Sequence, residues 1–364
     1  MLMRIIDAYI VKRFLKTLAL VISIILPIGV AIDISERIDK FIHHNELTLL
    51  IILRDYYQHF MISYGNMFLP LALFIAVILF TSKLASNTEI IAIHSAQISF
   101  NRLLYPFFMA ASIVAVFSFF MNHYVVPNSN AKFTSFDRKY LSTKKETNTI
   151  NNISLQLGEG NYIFIKSFWM NRNKGSNFMY EHYKGTKLKY RLKATNIKWI
   201  PEDSIYRLNN FSKRYLQEGQ SDQIVSGKTL DTLFNFYPKD LYYIDYLAKE
   251  MPSPELNNYI KLSEARGVKN LNPYKVELQK RTSLPFSSFI LTMIAVALAS
   301  RKRRGGIGVN LAIGIGLAFL YIFFMKITEV LGAVAGTNSL LLVWIPNLIF
   351  GILAFYLYWK ASKQ

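Results

Sequence analysis

The sequence predicts a membrane protein of the α+β class, with six transmembrane helices and one polar, strand-rich domain inserted between helices three and four. The first observation is composition: hydrophobic residues make up 52% of the chain and charged residues only 18%, against roughly 25% charged in soluble proteins. The second is segregation, because the apolar residues gather in long runs near both ends. The third is the polar stretch 127–281, whose short β-branched and aromatic runs are typical of strands.

Six stretches are long and apolar enough to cross a bilayer, which takes about 20 residues of helix. A short basic segment precedes the first stretch, as in a signal peptide, but that stretch is longer than a usual signal and lacks a small-residue cleavage site. We therefore predict that it is retained as a membrane anchor. The six predicted spans are Phe14–Ile32, Ile62–Ser82, Leu103–Val126, Leu284–Ser300, Ile307–Leu331 and Leu340–Trp359.

Basic residues in short loops predict the orientation, because such loops stay in the cytoplasm. With six spans, the basic loops and both termini fall on one side, which predicts cytoplasmic termini and places residues 127–281 outside. The predicted domains are thus 1–126 with helices one to three, 127–281, and 282–364 with helices four to six. The basic residues are Arg4, Lys12, Arg13, Lys16, Lys83, Arg102, Arg301, Lys302, Arg303, Arg304, Lys360 and Lys363.

The inserted domain reads as six short strands separated by Gly, Asn, Asp or Pro. Regular spacing of this kind fits a sandwich, a jelly roll or a barrel. After the strands, Pro254–Arg266 has the pattern of a short amphipathic helix that leads back to the membrane. The predicted strands are Ile153–Leu157, Tyr162–Trp169, Phe178–Lys184, Leu188–Trp199, Ile205–Phe211 and Gln223–Leu230.

The chain carries few signs of chemistry of its own. It has no cysteine, which excludes disulfides, thiolate metal sites and cysteine catalysis. Ser226–Thr229 ends like a phosphate-binding loop, but Asp222 occupies the position of the required glycine. We predict no cofactor and no catalytic site, which disfavours a membrane enzyme acting on lipid. The net charge of +19 favours anionic lipid headgroups over nucleic acid as partners of a membrane-embedded chain.

Cationic residues near the outer membrane surface are the candidate lipid contacts. Lys326 and Glu329 share one face of the fifth span, where ionisable groups are often functional but a lysine can also extend to the interface. Paired basic residues also follow the first and third spans and precede the fourth. We predict that this set binds lipid phosphates, with ordinary interfacial anchoring as the alternative. Its members are Arg37, Lys40, Arg138, Lys280, Arg281 and Lys326, with Lys139 beside Arg138.

A cytoplasmic segment between the second and third spans, Asn87–Phe100, predicts a short amphipathic helix. Asn87 or Thr88 suits its N-cap, and Glu89 falls in the first turn, where a carboxylate favours the helix dipole. Such a helix can lie on lipid, pack against helix ends or dock into another protein. A chain with a docking helix and no nucleotide site would suit a transporter that a separate ATPase drives.

Two long motifs resemble the LptF/LptG permease family, the membrane subunits of the lipopolysaccharide export ABC transporter. EIIAIHSAQIS, Glu89–Ser99, is similar to the coupling-helix segment of the family, although Gln97 stands where the family has glycine. The stretch Met251–Gly306, which begins MPSPELNNYIKLSEARG and ends ASRKRRGG, is similar to the most recognisable signature of the family. The resemblance runs from end to end of the chain.

The resemblance implies an inner-membrane permease with a periplasmic β-jelly-roll domain between helices three and four. It implies a second LptF/LptG-type subunit, an LptB-type ATPase dimer that grips the coupling helix at Glu89, Ile90, Ile93 and His94, and periplasmic LptC- and LptA-type proteins. Helices one and five would line a lipopolysaccharide cavity, near Arg37, Lys40 and Lys326. Whether the chain takes the LptF or the LptG role, and pairs with itself or another subunit, stays open. The alternative function is a non-transporting scaffold for periplasmic envelope-assembly proteins.

Overall fold

The computed structural model describes residues 5–44, 46–141, 149–158, 160–216, 221–234, 236–238, 241, 245–265, 270–300 and 306–363. The chain divides into two compact units. The helical unit comprises Met1–Leu141, Ala248–Leu256 and Asn272–Gln364, and the strand unit comprises Ser142–Leu247 and Asn257–Leu271. The predicted basic run 301–304 lies outside the described residues.

Six described helices are long and apolar enough to cross a membrane, which confirms the six predicted spans. Three short helices, α3, α5 and α6, accompany them. In chain order the nine are α1 (Ile5–Ile42), α2 (Leu49–Ser86), α3 (Glu89–Ser95), α4 (Phe100–Leu141), α5 (Asp245–Glu250), α6 (Ser253–Ala265), α7 (Asn272–Ala299), α8 (Gly306–Gly332) and α9 (Ser339–Ser362).

Four of these helices continue beyond the predicted apolar stretches by about three to four turns. The extensions are the last part of α1, the first part of α2, the last part of α4 and the first part of α7. All four lie at the end of the helical unit where α4 ends and α7 begins, which we call the insertion end. The predicted apolar stretches end where polar residues begin. The helices continue through these residues, because their polar side chains find partners on neighbouring helices.

The interior of the helical unit is built from α2, α4 and α7. The most apolar stretches of α2 and α7 are 67% and 72% buried, whereas those of α1 and α8 are 17% and 22% buried. The α1 helix packs on α2 and α4, and α8 packs on α2 and α9. Close approach of α8 to α2 depends on Gly314, where an added Cβ would lie 2.0 Å from Cδ1 of Ile78.

The strand unit contains six antiparallel strands, as predicted, at the predicted positions. Their order in the sheet is the order along the chain. A jelly roll would place its strands in two sheets, whereas the described strands form one sheet in which each strand pairs with the next along the chain. The strands are β1 (Thr149–Gly158), β2 (Asn161–Trp169), β3 (Lys174–Lys184), β4 (Lys187–Ile200), β5 (Ile205–Tyr215) and β6 (Gln223–Thr232).

The alternation of buried and exposed residues along the strands shifts at one level of the sheet. In β2 the buried residues step from Ile165 to Phe168, three residues instead of the usual two. The paired residues in β3, Phe178 and Gly175, make the same step, so the register is kept. The extra residue in each of these two strands keeps the buried side chains in register across the strand pair on both sides of this level. Left-handed φ angles occur at this level in alternate strands, at Asn152, Asn177 and Asn210.

Candidate functional site

Two apolar stripes flank the interior helix α2. On α1, four side chains at every fourth position are more than half exposed: Leu20, Ile24, Ile28 and Ile32. On α8, Phe319 and Phe323 are each 61% exposed. Inside a membrane, exposed apolar side chains such as these are compatible with acyl chains, and they also allow packing against another membrane-embedded protein. A shallow apolar groove between α1 and α2 lies beside the first stripe and is lined by Ile22, Ile25, Leu26, Gly65, Phe68 and Ala72.

A belt of polar contacts crosses the helical unit at the insertion end, and five of the six predicted lipid-binding cations belong to it. Its first part joins α1, α2 and α4. Arg37 pairs with Asp33, with 3.0 Å between Nε and Oδ1, and also with Asp137. Asp33 is buried and accepts hydrogen bonds from the hydroxyls of Tyr56 and Tyr57. The Arg37 charge is therefore balanced inside the protein.

The second part of the belt joins α4 to α5. Arg138 Nη2 lies 3.3 Å from Glu250 Oε1, and the arginine side chain is 36% exposed. Burial raises the pKa of the Glu250 carboxyl, and the charge of Arg138 opposes that rise. The arginine is the exposed member of this pair, and a partly exposed pair contributes little stability because water screens its charge.

The third part is a buried arginine. Arg281 on α7 is 1% exposed. Its Nη1 donates to the Met251 carbonyl at 2.8 Å and to Ser253 Oγ at 3.0 Å, and its Nη2 donates to the Ala248 carbonyl at 2.8 Å. Its Nε lies 3.3 Å from Glu277 Oε1. The guanidinium thus holds the segment Ala248–Ser253 against α7, and its burial leaves no open side for a lipid phosphate.

The fourth part is a ladder of alternating charges between α7 and α8. Lys280 Nζ lies 2.6 Å from Glu277 Oε2 and 3.0 Å from Glu329 Oε1. Lys326 Nζ lies 2.9 Å from Glu329 Oε2 and ends the ladder, with its side chain 63% exposed. Of the paired cations in the belt, Lys326 is the most open to a ligand.

The belt distributes the predicted cations over four helices and does not gather them in one pocket. Each of Arg37, Arg138, Lys280, Arg281 and Lys326 has a carboxylate partner, while Lys40 is half-buried and has no ion pair among the residues that the structure describes. Their assignment as phosphate ligands stays a prediction. Apart from Glu329, which shares a helix face with Lys326, sequence reasoning missed the carboxylates. The spacings Asp33–Arg37 and Glu277–Lys280–Arg281 signalled them, because residues three or four apart share a helix face.

The α3 helix lies at the opposite end of the helical unit, which we call the α3 end. It covers Glu89–Ser95 and is shorter than the predicted 87–100. Its C-terminal side stops at Gln97, whose φ of 58° is left-handed. This is the conformation that glycine adopts freely, so Gln97 makes the turn where the family has glycine. Thr88, at φ 62°, does not have the extended backbone of an N-cap.

The predicted coupling residues divide into an outer and an inner group. Glu89 is half-buried and accepts hydrogen bonds from the Tyr9 hydroxyl and from Asn87 Nδ2, each at 3.1 Å. Ile90 is buried in the helical core, and Ile93 packs against that core. The side chain of His94 lies outside the described residues. Ile91, which was not predicted, is the apolar side chain that α3 exposes, at 55%.

Six membrane-length helices, with a six-stranded sheet inserted between the third and the fourth, define a multi-pass membrane protein of the α+β class. Among the described residues, no three His, Cys, Asp or Glu side chains gather as metal ligands. The family model described as lipopolysaccharide export system permease LptF/LptG matches residues 8–360. The chain therefore belongs to the LptF/LptG family, whose members are permeases and not enzymes. No curated protein matched the chain in a sequence comparison.

Proposed function

We propose that this chain is the permease subunit of an ABC transporter that extracts lipopolysaccharide from the inner membrane and passes it to a periplasmic bridge toward the outer membrane. The family match over residues 8–360 carries the proposal. The paired apolar stripes on α1 and α8 support it, since they flank one helix and offer an apolar surface on the scale of acyl chains. A separate ATPase supplies the energy of transport.

The proposed arrangement places both termini and α3 in the cytoplasm and residues 127–281 in the periplasm. Residues 1–126 and 282–364 form the membrane part. A second LptF/LptG-type subunit faces the two stripes and closes a cavity between the subunits. An LptB-type ATPase dimer binds α3 through Glu89 and its exposed neighbours, and LptC- and LptA-type proteins receive the lipid from the strand unit. Nucleic acid has no part in this arrangement.

In the proposed mechanism, this chain moves the lipid by a change of conformation and carries out no chemical reaction. ATP binding by the partner draws the two permease subunits together through the docked α3 helices, which narrows the cavity and displaces the lipid toward the strand unit. Apolar side chains such as Ile28 and Phe323 contact acyl chains. Lys326 and Lys40, the cations of the predicted set least occupied by internal carboxylates, contact lipid phosphates at the insertion end.

Photo-crosslinking in living cells tests this function. A photoreactive residue is placed at Ile28, at Phe323 or at Lys326, and adducts with lipopolysaccharide are measured with and without hydrolysis by the ATPase. Leu348 on α9 is the control, because it is 59% exposed and belongs to neither stripe. We expect adducts to accumulate at the first three positions when hydrolysis is blocked, and to stay constant at Leu348. If the amount of adduct at every position were the same with and without hydrolysis by the ATPase, the result would favour the non-transporting scaffold.

Reversing the charge of Glu89 is expected to abolish retention of the ATPase while leaving the fold intact. In Glu89→Arg the carboxylate that an ATPase would contact becomes a cation, and like charges across an interface oppose binding. The measurement is co-purification of the ATPase together with the melting temperature of the permease. Asp39→Arg is the matched control, an equal charge change at the insertion end of α1. Equal recovery of the ATPase with wild type and Glu89→Arg would contradict the proposed docking role.

A further inference from the structure

The start of α1 carries a buried carboxylate. Asp7 is 2% exposed, and both of its oxygens accept hydrogen bonds from Arg102 at the start of α4, each at 2.7 Å. The guanidinium also lies over the ring of Tyr105, 5.3 Å from the ring centre. A two-point arginine–carboxylate pair fixes direction as well as distance. The first turns of α1 are therefore held in one orientation on α4.

The same turns of α1 are fastened to α3 on another side. The Tyr9 hydroxyl donates to Glu89 Oε2 at 3.1 Å, and the Tyr9 ring lies under the guanidinium of Arg13. Residues two apart point in nearly opposite directions around a helix of 3.6 residues per turn. Asp7 thus contacts α4 while Tyr9 contacts α3, and the start of α1 is held between them.

Apart from these polar contacts, the membrane part of α1 is held by apolar packing on α2 and α4. Ile10 and Phe14 are buried immediately after the two contacts, but beyond Val21 the membrane part of the helix is largely exposed. The next polar attachment is the pair of Asp33 and Arg37 at the insertion end. Among the described residues, α1 makes no side-chain ion pair or hydrogen bond to another helix between these two ends, so its middle can slide on apolar side chains when an end is displaced.

We infer that Asp7, Tyr9 and Arg102 are positioning residues that make α1 follow α3, so that a displacement of α3 reaches the apolar stripe on α1. We call this set the α1 clamp. The inference rests on the proposed function, because it takes the ATPase to displace α3. The Tyr9 hydrogen bond links α1 to the helix that the ATPase moves. The Asp7–Arg102 pair sets the direction in which α1 then moves relative to α4.

Distance measurements between two spin labels test the α1 clamp in the intact complex with its ATPase. The chain has no cysteine, so Ile28→Cys on α1 and Leu348→Cys on α9 provide two unique labelling sites. The distance distribution is recorded without nucleotide and with a non-hydrolysable ATP analogue, for the wild type and for Asp7→Asn, Arg102→Met and Tyr9→Phe. Lys12→Gln is the control, because it removes an exposed neighbouring cation and leaves the clamp contacts and the Arg13–Tyr9 contact in place.

We expect the nucleotide-dependent distance change in the wild type and in Lys12→Gln, and a reduced change in the three clamp variants. Lipopolysaccharide released per ATP hydrolysed in vesicles should fall in the same variants, by about fivefold or more, as for the loss of an ordinary coupling between sites. The ATPase should still co-purify. The exchanged pair Asp7→Arg with Arg102→Asp should restore part of both signals, which would assign the loss to this ion pair.

Two results would overturn the inference. Clamp variants that show the full wild-type distance change would remove the link between α3 and α1, while the proposed function stood. Variants that lose the ATPase together with the distance change, without rescue by the exchanged pair, would reduce the clamp to a folding contact. A wild-type chain that binds no ATPase would instead contradict the proposed function, and the inference would fall with it.

Discussion

Replacing Arg281 by methionine is expected to lower the free energy of unfolding of the helical unit by about 3–5 kcal/mol, the usual result of removing one partner from a buried ion pair. The substitution leaves the carbonyls of Ala248 and Met251 without their donor, and it leaves Glu277 with Lys280 as its remaining cation. Methionine fills a similar volume but offers no hydrogen bond. The segment Ala248–Ser253 would separate from α7 before the rest of the unit unfolds, because these hydrogen bonds hold it there.

Thermal unfolding in detergent measures the effect, with tryptophan fluorescence and protease sensitivity near Met251 as two readouts. Arg138→Met is the matched control: the same change in an exposed pair, for which about 0–1 kcal/mol is expected. Arg281→Lys should recover little, since an ammonium cannot reach acceptors arranged around a planar guanidinium. Equal melting temperatures for the Arg281 and Arg138 variants would show that the buried arginine does not hold the segment.

Replacing Gly314 by leucine is expected to force α8 away from α2, at a cost of about 1–3 kcal/mol or more, as in overpacked cores. An added Cβ alone would lie 2.0 Å from Cδ1 of Ile78, and because Ile78 is fully buried its side chain could move only against other core side chains. Because Lys326 and Phe323 sit on the same helix, the shift would also displace the α8 stripe. The loss of transport activity should therefore be larger than the loss of stability alone would cause.

The control is two residues away. At Gly316 an added Cβ would meet nothing within 4 Å, so Gly316→Leu should change the melting temperature little. Ile78→Ala removes the atom that Gly314→Leu strikes, and the double variant should recover part of the loss, with a coupling of about 0.5–3 kcal/mol between contacting sites. Additive losses in the double variant would show that the two side chains do not meet.

The belt at the insertion end shows where sequence reasoning stopped. The cations were identified as a set because basic pairs recur at three helix ends, and their shared location at the insertion end followed from topology. Apart from Glu329 beside Lys326, their partners were not identified. Asp137 reaches Arg37 across 100 residues of sequence, and Glu329 reaches Lys280 across 49. Charge counting therefore overstated how many cations are open to a lipid phosphate.

The coupling segment, Glu89–Ser95, was also predicted only in part. Helical periodicity identified α3 and placed Glu89 in its first turn, both of which the structure contains. The same pattern did not distinguish Ile90, which is buried, from Ile91, which is exposed. A helix of seven residues has apolar side chains on several faces, and only the position of its neighbours decides which face is covered. The Tyr9 hydroxyl on Glu89, 80 residues away, had no local signal at all.

The sequence by itself determined the six spans, the six strands, their order along the chain and the family. These properties depend on residues within one turn or one strand of each other, since hydrophobic length and periodicity are local. Only the tertiary structure decided which helices are interior and which carboxylate neutralises each cation. It also decided where the burial pattern of the sheet shifts by one residue, and that α1 begins between Arg102 and Glu89. Those properties depend on contacts between residues far apart in the chain, where close packing and a shortage of water make each pairing specific.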